Sequence, residues 1–356
     1  RGDVYKRQAG GCSIMALASA AFKNFCAKFN ADTIQLVHRV LVADTQTPVS
    51  AFLKLADGHQ YCFLLESVEG GDVRGRFSVI GLRPDLIWRC HNNKAEINRM
   101  PGKSDNFVAD TLSPLESLRW VMAESEMKDT GNLPPMAAGL FGYFGYDMIR
   151  HIEAIPDANP AVINTPDSML VRPSLIAIFD RLKDSITFVV QVRPAEWDEP
   201  QTAWRNAKDR ISAYLDALDA PMPPTEAGES TAPLPDPRSN MEQGDFLAMV
   251  DAAKDYIRAG DIFQVVLSQR FSIPFHLPAI NLYRSLRRLN PSPFLFFFDF
   301  DELAIVGSSP EILVRLRDDV VTIRPIAGTR KRGTTPEEDA ANAADLMGDV
   351  KERAEH

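Results

Sequence analysis

Short stretches of alternating apolar and polar residues dominate the chain from about Ile34 to Val192. TPVSAFLKL, YCFLLES, RFSVIG, DLIWRC, AEIN, LIAIFD and SITFVVQV show period-two alternation and β-branched or aromatic enrichment, so each predicts a strand. DLIWRC and AEIN flank His91-Asn92-Asn93, which predicts a turn. One helix interrupts this pattern at Ser113, where S-P-L-E supplies an N-cap, a proline at the first helical position and Glu116 for a capping box; the helix runs on through Trp120. A second helix, about Pro200 to Leu218, sets Trp204, Ala207, Ile211 and Leu215 on one face.

The pattern then breaks. Six prolines fall between Ala220 and Asn240 with no apolar periodicity, predicting an exposed linker or long surface loop over 220–240. A third helix is predicted from near Asn240 to Gly260, burying Phe246, Val250, Ala253 and Ile257. Strand patterns return in FQVVLSQRF, FLFFFDF, LAIVG, EILVRL and VVTIRPI. No repeat of fixed period is present. Runs of strands separated by helices, without strict β-α alternation, predict an α+β protein with antiparallel sheets.

Composition narrows the function classes. The chain has 356 residues, 45% of them hydrophobic and 24% charged, enough for a large core or two domains. A net charge of −9 speaks against nucleic-acid or membrane-surface binding, which needs a concentrated positive field. No apolar run reaches the roughly 18 residues of a membrane span. Cys12, Cys26, Cys62 and Cys90 show neither metal-ligand spacing nor a disulfide framework, so a reducing cytoplasm is expected. Arg1, Lys6 and Arg7 precede the small-residue stretch AGGCSIMALASAA, which mimics a secretory signal. The apolar stretch is weak, and residues 1–14 read instead as upstream or non-native sequence.

Four phrases hold candidate chemistry. As a strand, FQVVLSQRF puts Gln264, Val266, Ser268 and Arg270 on a polar face opposite Phe263, Val265, Leu267 and Phe271; alone it also reads as a half-exposed strand. In IVGSSPEILVRL, Glu311 follows Ser309-Pro310, where a carboxylate is either a turn acceptor or an acid. In IRPIAGTRKRG, Gly328 and Thr329 offer a backbone N–H and a hydroxyl to a carboxylate, while Arg324, Arg330, Lys331 and Arg332 raise the local potential; a plain turn and solvated basic loop fit as well. In DVKERAEH, Glu352 and Glu355 share one face of a helix, an arrangement that is solvated in most proteins.

Taken in order, these phrases resemble the chorismate-using enzymes, and specifically anthranilate synthase component I. AGLFGYFGYDMIR and PDSMLVRPSLIAIFD extend the resemblance over about Thr33 to His356. It implies a two-domain antiparallel β-sandwich with outer helices, an N-terminal domain over 30–195 and a chorismate-binding domain over 241–356 that is cut short. The implied reaction adds ammonia at C2 of chorismate with loss of the C4 hydroxyl, then eliminates pyruvate to leave anthranilate. Glu311 is implied as the general acid for the departing hydroxyl, a role that needs a carboxyl titrating nearer neutrality than usual. Gln264 replaces a lysine that activates water in isochorismate and salicylate synthases, and glutamine cannot act as a base. Ala327 stands where aminodeoxychorismate synthases carry an attacking lysine.

The resemblance also implies substrate contacts at Gly328, Thr329 and Ala327, and a magnesium ion held by Glu355 with Glu352 as its outer partner. His356 does not match the family's catalytic histidine. The remaining ligands are expected beyond residue 356, so the chain is expected to be a fragment without turnover of its own. LLESVEGG and NPSPFLFFF resemble two segments that close around inhibitory L-tryptophan, with Glu66 and Ser67 facing Pro293, Phe294 and Leu295. Phe294-Leu295 replaces a common Tyr-Met. No glutaminase motif is present, so a separate glutamine amidotransferase subunit is the expected partner. Aminodeoxychorismate synthase and a non-catalytic tryptophan- or chorismate-binding protein are the alternatives.

Overall fold

The computed structural model describes residues 11–67, 75–127, 129–157, 160–224, 235–324 and 328–355, with side chains from residue 20 to 354 within those ranges. The chain divides into two units, Arg1–Pro223 with Tyr283–His356, and Pro224–Leu282.

In the larger unit, α1 (Gly11–Asn30) leads into β1 (Gln35–Val42), α2 (Pro48–Leu55), β2 (Cys62–Glu66), β3 (Phe77–His91), β4 (Lys94–Asn98) and β5 (Val108–Ala109). Then come α3 (Pro114–Ser125), β6 (Phe141–Phe144), β7 (Ser168–Asp180), β8 (Ser185–Val192) and α4 (Pro200–Asp219). The smaller unit holds β9 (Arg238–Ser239), α5 (Gln243–Ala259) and β10 (Phe271–Ser272), and α6 (Ala279–Leu289) crosses the boundary. β11 (Phe294–Asp299), β12 (Ala304–Ser309), β13 (Arg315–Arg317), β14 (Val320–Thr322), α7 (Pro336–Gly348) and α8 (Val350–Glu355) complete the chain.

A ten-stranded sheet organises the larger unit in the order β1-β8-β7-β3-β2-β11-β12, with β6 on β7 and with β4 and β5 continuing from β3. Every pairing is antiparallel. This is the expected α+β class. β3 carries both RFSVIG and DLIWRC, joined through an irregularity between Pro84 and Leu86. The β3–β4 hairpin turns on Asn92 and Asn93, both at positive φ, with His91 opposite Lys94. Two left-handed residues match the twist of a tight hairpin, and asparagine tolerates that conformation.

Phe63, Val171, Ile176, Val189 and Phe298 form one buried cluster, bringing residues from distant segments together. Leu86, Trp88, Leu118, Val121 and Met148 form a second, which seats α3 against β3 and β4. Glycine permits two of the close strand contacts. A side chain at Gly81 would overlap the Phe63 ring, and one at Gly307 would overlap Phe296.

Four sequence expectations change. TPVSAFLKL is helix α2 rather than a strand: Thr47 Oγ1 accepts from Ser50 N–H at 3.1 Å, Ser50 Oγ accepts from Thr47 N–H at 2.9 Å, and Pro48 opens the first turn. Reciprocal capping of this kind outweighs the strand preference of its valine and phenylalanine. The buried stripe of α4 is Ala203, Ala207, Ile211, Tyr214 and Leu218, so Trp204 and Leu215 sit at its margin. Trp204 instead packs on Phe22 and Phe25 of α1, a helix the sequence reading did not assign. Helix α5 stops at left-handed Gly260 as expected, yet Phe246, Val250, Ala253 and Ile257 are not buried.

The fourth change is FQVVLSQRF, where only Phe271 is in a strand, opposite Ser239. Val266 and Phe263 are more than 80% exposed. Alternation can assign faces to a segment, but a strand forms only where a neighbour completes its hydrogen bonds. EILVRL and VVTIRPI are likewise reduced to the short hairpin β13–β14.

Candidate functional site

Two neighbourhoods of the larger unit collect most of the candidate residues. The first is built where β2 ends against β11. Leu295 lies opposite Glu66 in the ladder, so LLES and NPSPFLFFF are joined directly although more than two hundred residues separate them. The N-P-S-P turn is also tied to β12. Ser308 Oγ donates to the Asn290 carbonyl at 2.6 Å and lies 2.7 Å from Ser292 Oγ. Leu295 is buried and Phe294 is 37% exposed, so the side chains of this pair differ sharply in access.

The Glu66 carboxylate faces inward and its side chain has no solvent exposure. Four N–H and O–H groups converge on its two oxygens. Arg287 Nε donates to Oε2 at 2.6 Å and Arg287 Nη2 to Oε1 at 3.1 Å. Tyr283 Oη donates to Oε2 at 2.7 Å, and Arg181 Nη2 to Oε1 at 3.2 Å. Tyr283 and Arg287 stand one turn apart on α6, so both reach the same point. The Tyr283 ring packs against Phe297 at 5.9 Å. Burial, then the adjacent Glu66 charge, pushes the Tyr283 phenol far above its ordinary value, keeping it a donor. Arg287 is held more firmly protonated by Glu66, against the opposing effect of its own burial.

Nothing in the motif LLES announces these partners. The local signal is the i, i+4 spacing of Tyr283 and Arg287 in the amphipathic helix AINLYRSLRRL. Arg181 and Arg287 also line a cleft of about 550 Å³ between the β7–β8 turn and the start of α2. Ser67 is described, whereas residues 68–74 of the glycine turn lie outside the described residues.

The second neighbourhood joins IRPIAGTRKRG to the last two helices. Gly328 has φ +80°, and a side chain there would meet Glu352 Oε2 at 2.6 Å and Leu346 Cδ1 at 2.7 Å. Glycine is therefore demanded both by the left-handed backbone and by the approach of Glu352. Thr329 follows it, with its carbonyl accepting from Arg330 Nη1. Arg330 contacts three carboxylates, Asp345 at 2.6 Å, Asp349 at 2.9 Å and Glu352 at 3.6 Å. Arg332 pairs with Asp339 at 2.7 Å. The expected positive potential of this loop is thus largely balanced by α7 and α8. Hydrogen bonds from the Glu352 N–H and from Arg330 hold the Asp349 carboxyl below its usual range.

Glu311 is exposed at the turn after β12, where its N–H donates to Ser309 Oγ at 3.3 Å. Its described contact is this local one, whereas Gly328 and Glu352 meet each other. Gln264 is exposed in the smaller unit. Ala327 and the side chain of Glu355 lie outside the described residues. Among the described residues no group of three histidine, cysteine or acidic side chains is placed to hold a metal ion. Arg330 already supplies the positive charge beside Glu352, so the described residues do not by themselves form a magnesium site. None of the described helices is long and apolar enough to cross a membrane.

Comparison with known proteins follows the same order of motifs. The model of a family described as chorismate binding enzyme matches residues 61–356, which include every phrase of both neighbourhoods. The chain belongs to the chorismate binding enzyme family. Within it, the chain is similar to "Anthranilate synthase component 1" of Cereibacter sphaeroides, with 49% identity over 94% of this chain and 67% of the relative. The protein of that name from Pseudomonas putida is 40% identical over 88% of this chain and 64% of its own length. The crystal structure of anthranilate synthase component I from Streptococcus pneumoniae superposes with a TM-score of 0.66 at 30% identity, covering 89% of this chain and 66% of that one. The chain therefore spans about two thirds of the length of the curated relatives it matches. The mixed helical and antiparallel-sheet fold is that of this family.

Proposed function

We propose that this chain is the chorismate-converting part of an anthranilate synthase, joining ammonia to chorismate and releasing anthranilate, pyruvate and water. The observation that carries this reading is the juxtaposition of Gly328-Thr329 with Glu352. It sets the left-handed turn at Gly328, a backbone form suited to a carboxylate ligand, against Glu352, with Thr329 next in the chain. Relatives named anthranilate synthase component 1, at up to 49% identity, support the same reading.

Glu311 would protonate the C4 hydroxyl as it leaves as water, while ammonia forms the new bond at C2; loss of the enolpyruvyl group as pyruvate, with the ring proton at C2, then makes the ring aromatic. Gln264 cannot activate water, which suits ammonia as the nucleophile. Gly328 N–H and the Thr329 hydroxyl would hold a substrate carboxylate, with Ala327 leaving room where a nucleophile would otherwise stand. Magnesium belongs to the proposal through Glu355, with Glu352 beside it, and no step is routed through it; removal of product formation by a chelator is its test. A separate glutamine-hydrolysing component would supply ammonia. L-Tryptophan would act as feedback inhibitor at the β2–β11 junction, against Ser67, Pro293, Phe294 and Leu295. Cysteines without a disulfide framework suit a cytoplasmic setting; Cys26, Cys62 and Cys90 are free thiols.

The test replaces Glu311 by glutamine in the whole protein that contains this chain. Glu311→Gln should lower kcat for chorismate consumption about 100-fold, the scale of one general acid, with KM changed little. An unaltered kcat would remove Glu311 from the mechanism.

A further inference from the structure

We propose that Arg287 is an internal cation that an amino-acid ligand must displace from Glu66, so that occupancy at the β2–β11 junction is coupled to helix α6. This rests on the regulatory reading above and adds to it the way the site is controlled. A ligand with a free ammonium group needs a carboxylate acceptor, and among the described residues of the junction Glu66 supplies one. Yet both Glu66 oxygens are engaged: Oε2 by Arg287 Nε and Tyr283 Oη, Oε1 by Arg287 Nη2 and Arg181 Nη2. A carboxylate has about four lone-pair directions, so an entering ammonium replaces a donor rather than joining the set.

Arg287 is the donor whose exchange has a consequence. It makes the 2.6 Å contact and supplies two of the four hydrogen bonds. Its side chain keeps 30% exposure, whereas the Glu66 side chain has none, so the guanidinium can turn outward while the carboxylate stays in place. The cleft of about 550 Å³ that Arg287 lines gives the displaced group a place to go. Tyr283, fully buried against Phe297, holds its position and fixes the Glu66 rotamer. Release of Arg287 removes two of the hydrogen bonds that tie α6 to the end of β2, while Tyr283 keeps the helix anchored there. Because α6 leads directly into the turn before β11, a signal at Glu66 is passed along the chain to the strand that ends one wall of the junction.

Two ligands separate the exchange from simple occupancy of the junction. L-Tryptophan carries an ammonium group that competes with Arg287. Indole-3-propionate has the same ring and carboxylate without the amine, and leaves the Arg287 contact untouched. Binding of both is measured by calorimetry on the whole protein containing these residues, as wild type and as Arg287→Gln, with Arg287→Lys as the conservative control. Tryptophan should bind Arg287→Gln about tenfold more tightly than wild type, with indole-3-propionate unchanged and Arg287→Lys near wild type. Equal tightening of both ligands, or weaker tryptophan binding to Arg287→Gln in a folded variant, would overturn the exchange and leave the inhibitor site standing. No tryptophan binding to the wild type would overturn the inhibitor reading and the exchange together. Circular dichroism identifies a variant that fails to fold, and in that case Arg287→Met must show the same tightening or the proposal fails.

Discussion

At the scale of single residues, the clearest demand of this chain is to satisfy carboxylates and guanidiniums that are out of water. Arg172, only 4% exposed at its side chain, reaches Asp85 through Nε and Glu124 at 3.0 Å through Nη1, with Ser125 Oγ at 3.1 Å. Arg193 joins from β8's end, 3.4 Å from Asp85 and 3.1 Å from Gln191 Oε1. Hydrogen bonding from Arg99, followed by that from Arg172 against the cost of burial, holds the Glu124 carboxyl below its usual range. Removing Arg172 takes the most buried partner from both carboxylates, leaving Asp85 with the longer Arg193 contact and Glu124 with Arg99. Arg172→Ala should therefore destabilise the fold by about 3 kcal/mol, read as a lower urea midpoint with an unchanged slope. A midpoint within 0.5 M of wild type, taken as an order-of-magnitude margin at typical slopes of about 1–3 kcal/mol/M, would mean the network contributes little. None of these partners was legible beforehand, because Arg172 and Asp85 are 87 residues apart and the choice of partner is made by the sheet register.

At the scale of elements, local chemistry predicted what it could determine alone. The Asn92-Asn93 hairpin needs only its own backbone to be recognised, and so does the Ser113 cap of α3, where the Glu116 carboxylate accepts from Ser113 N–H at 3.2 Å. The error at TPVSAFLKL came from weighing alternation above the Thr-Pro-x-Ser start signal. The error at FQVVLSQRF came from assuming a neighbouring strand. Strand ends in the main sheet depend on longer ties. Asp180 at the end of β7 accepts from Arg76 Nε at 3.0 Å and Nη2 at 2.8 Å, next to the start of β3. The Arg76 hydrogen bonds hold its carboxyl below the ordinary aspartate value, with burial opposing and Leu182 N–H assisting. A depressed folded value means that the unfolded chain takes up the proton first as pH falls. This stabilisation is complete above the unfolded value near about 3.9 and disappears as pH falls through the lower folded one. Asp180→Asn should flatten the decline of the denaturation midpoint between about pH 5 and 2, and slopes identical to wild type would show that the pair has no such role.

For the whole molecule, the family assignment was the most legible property and the assembled site the least. Phrases such as GSSPEILVRL and IAGTRKRG keep their order along the chain, and that order identifies the family without any knowledge of contacts. The pairing of β2 with β11 could be expected only from the resemblance, whereas Arg330 among three carboxylates and Glu66 among three cationic or phenolic donors required the fold. The central claim is that this scaffold directs ammonia to chorismate and releases anthranilate. Its most direct test incubates the whole protein containing this chain with chorismate, magnesium and ammonium, and separates and identifies the products. Anthranilate and pyruvate in equal amounts, formed only when ammonium is present, are the predicted result. Aminodeoxychorismate, isochorismate or unchanged chorismate would contradict the account.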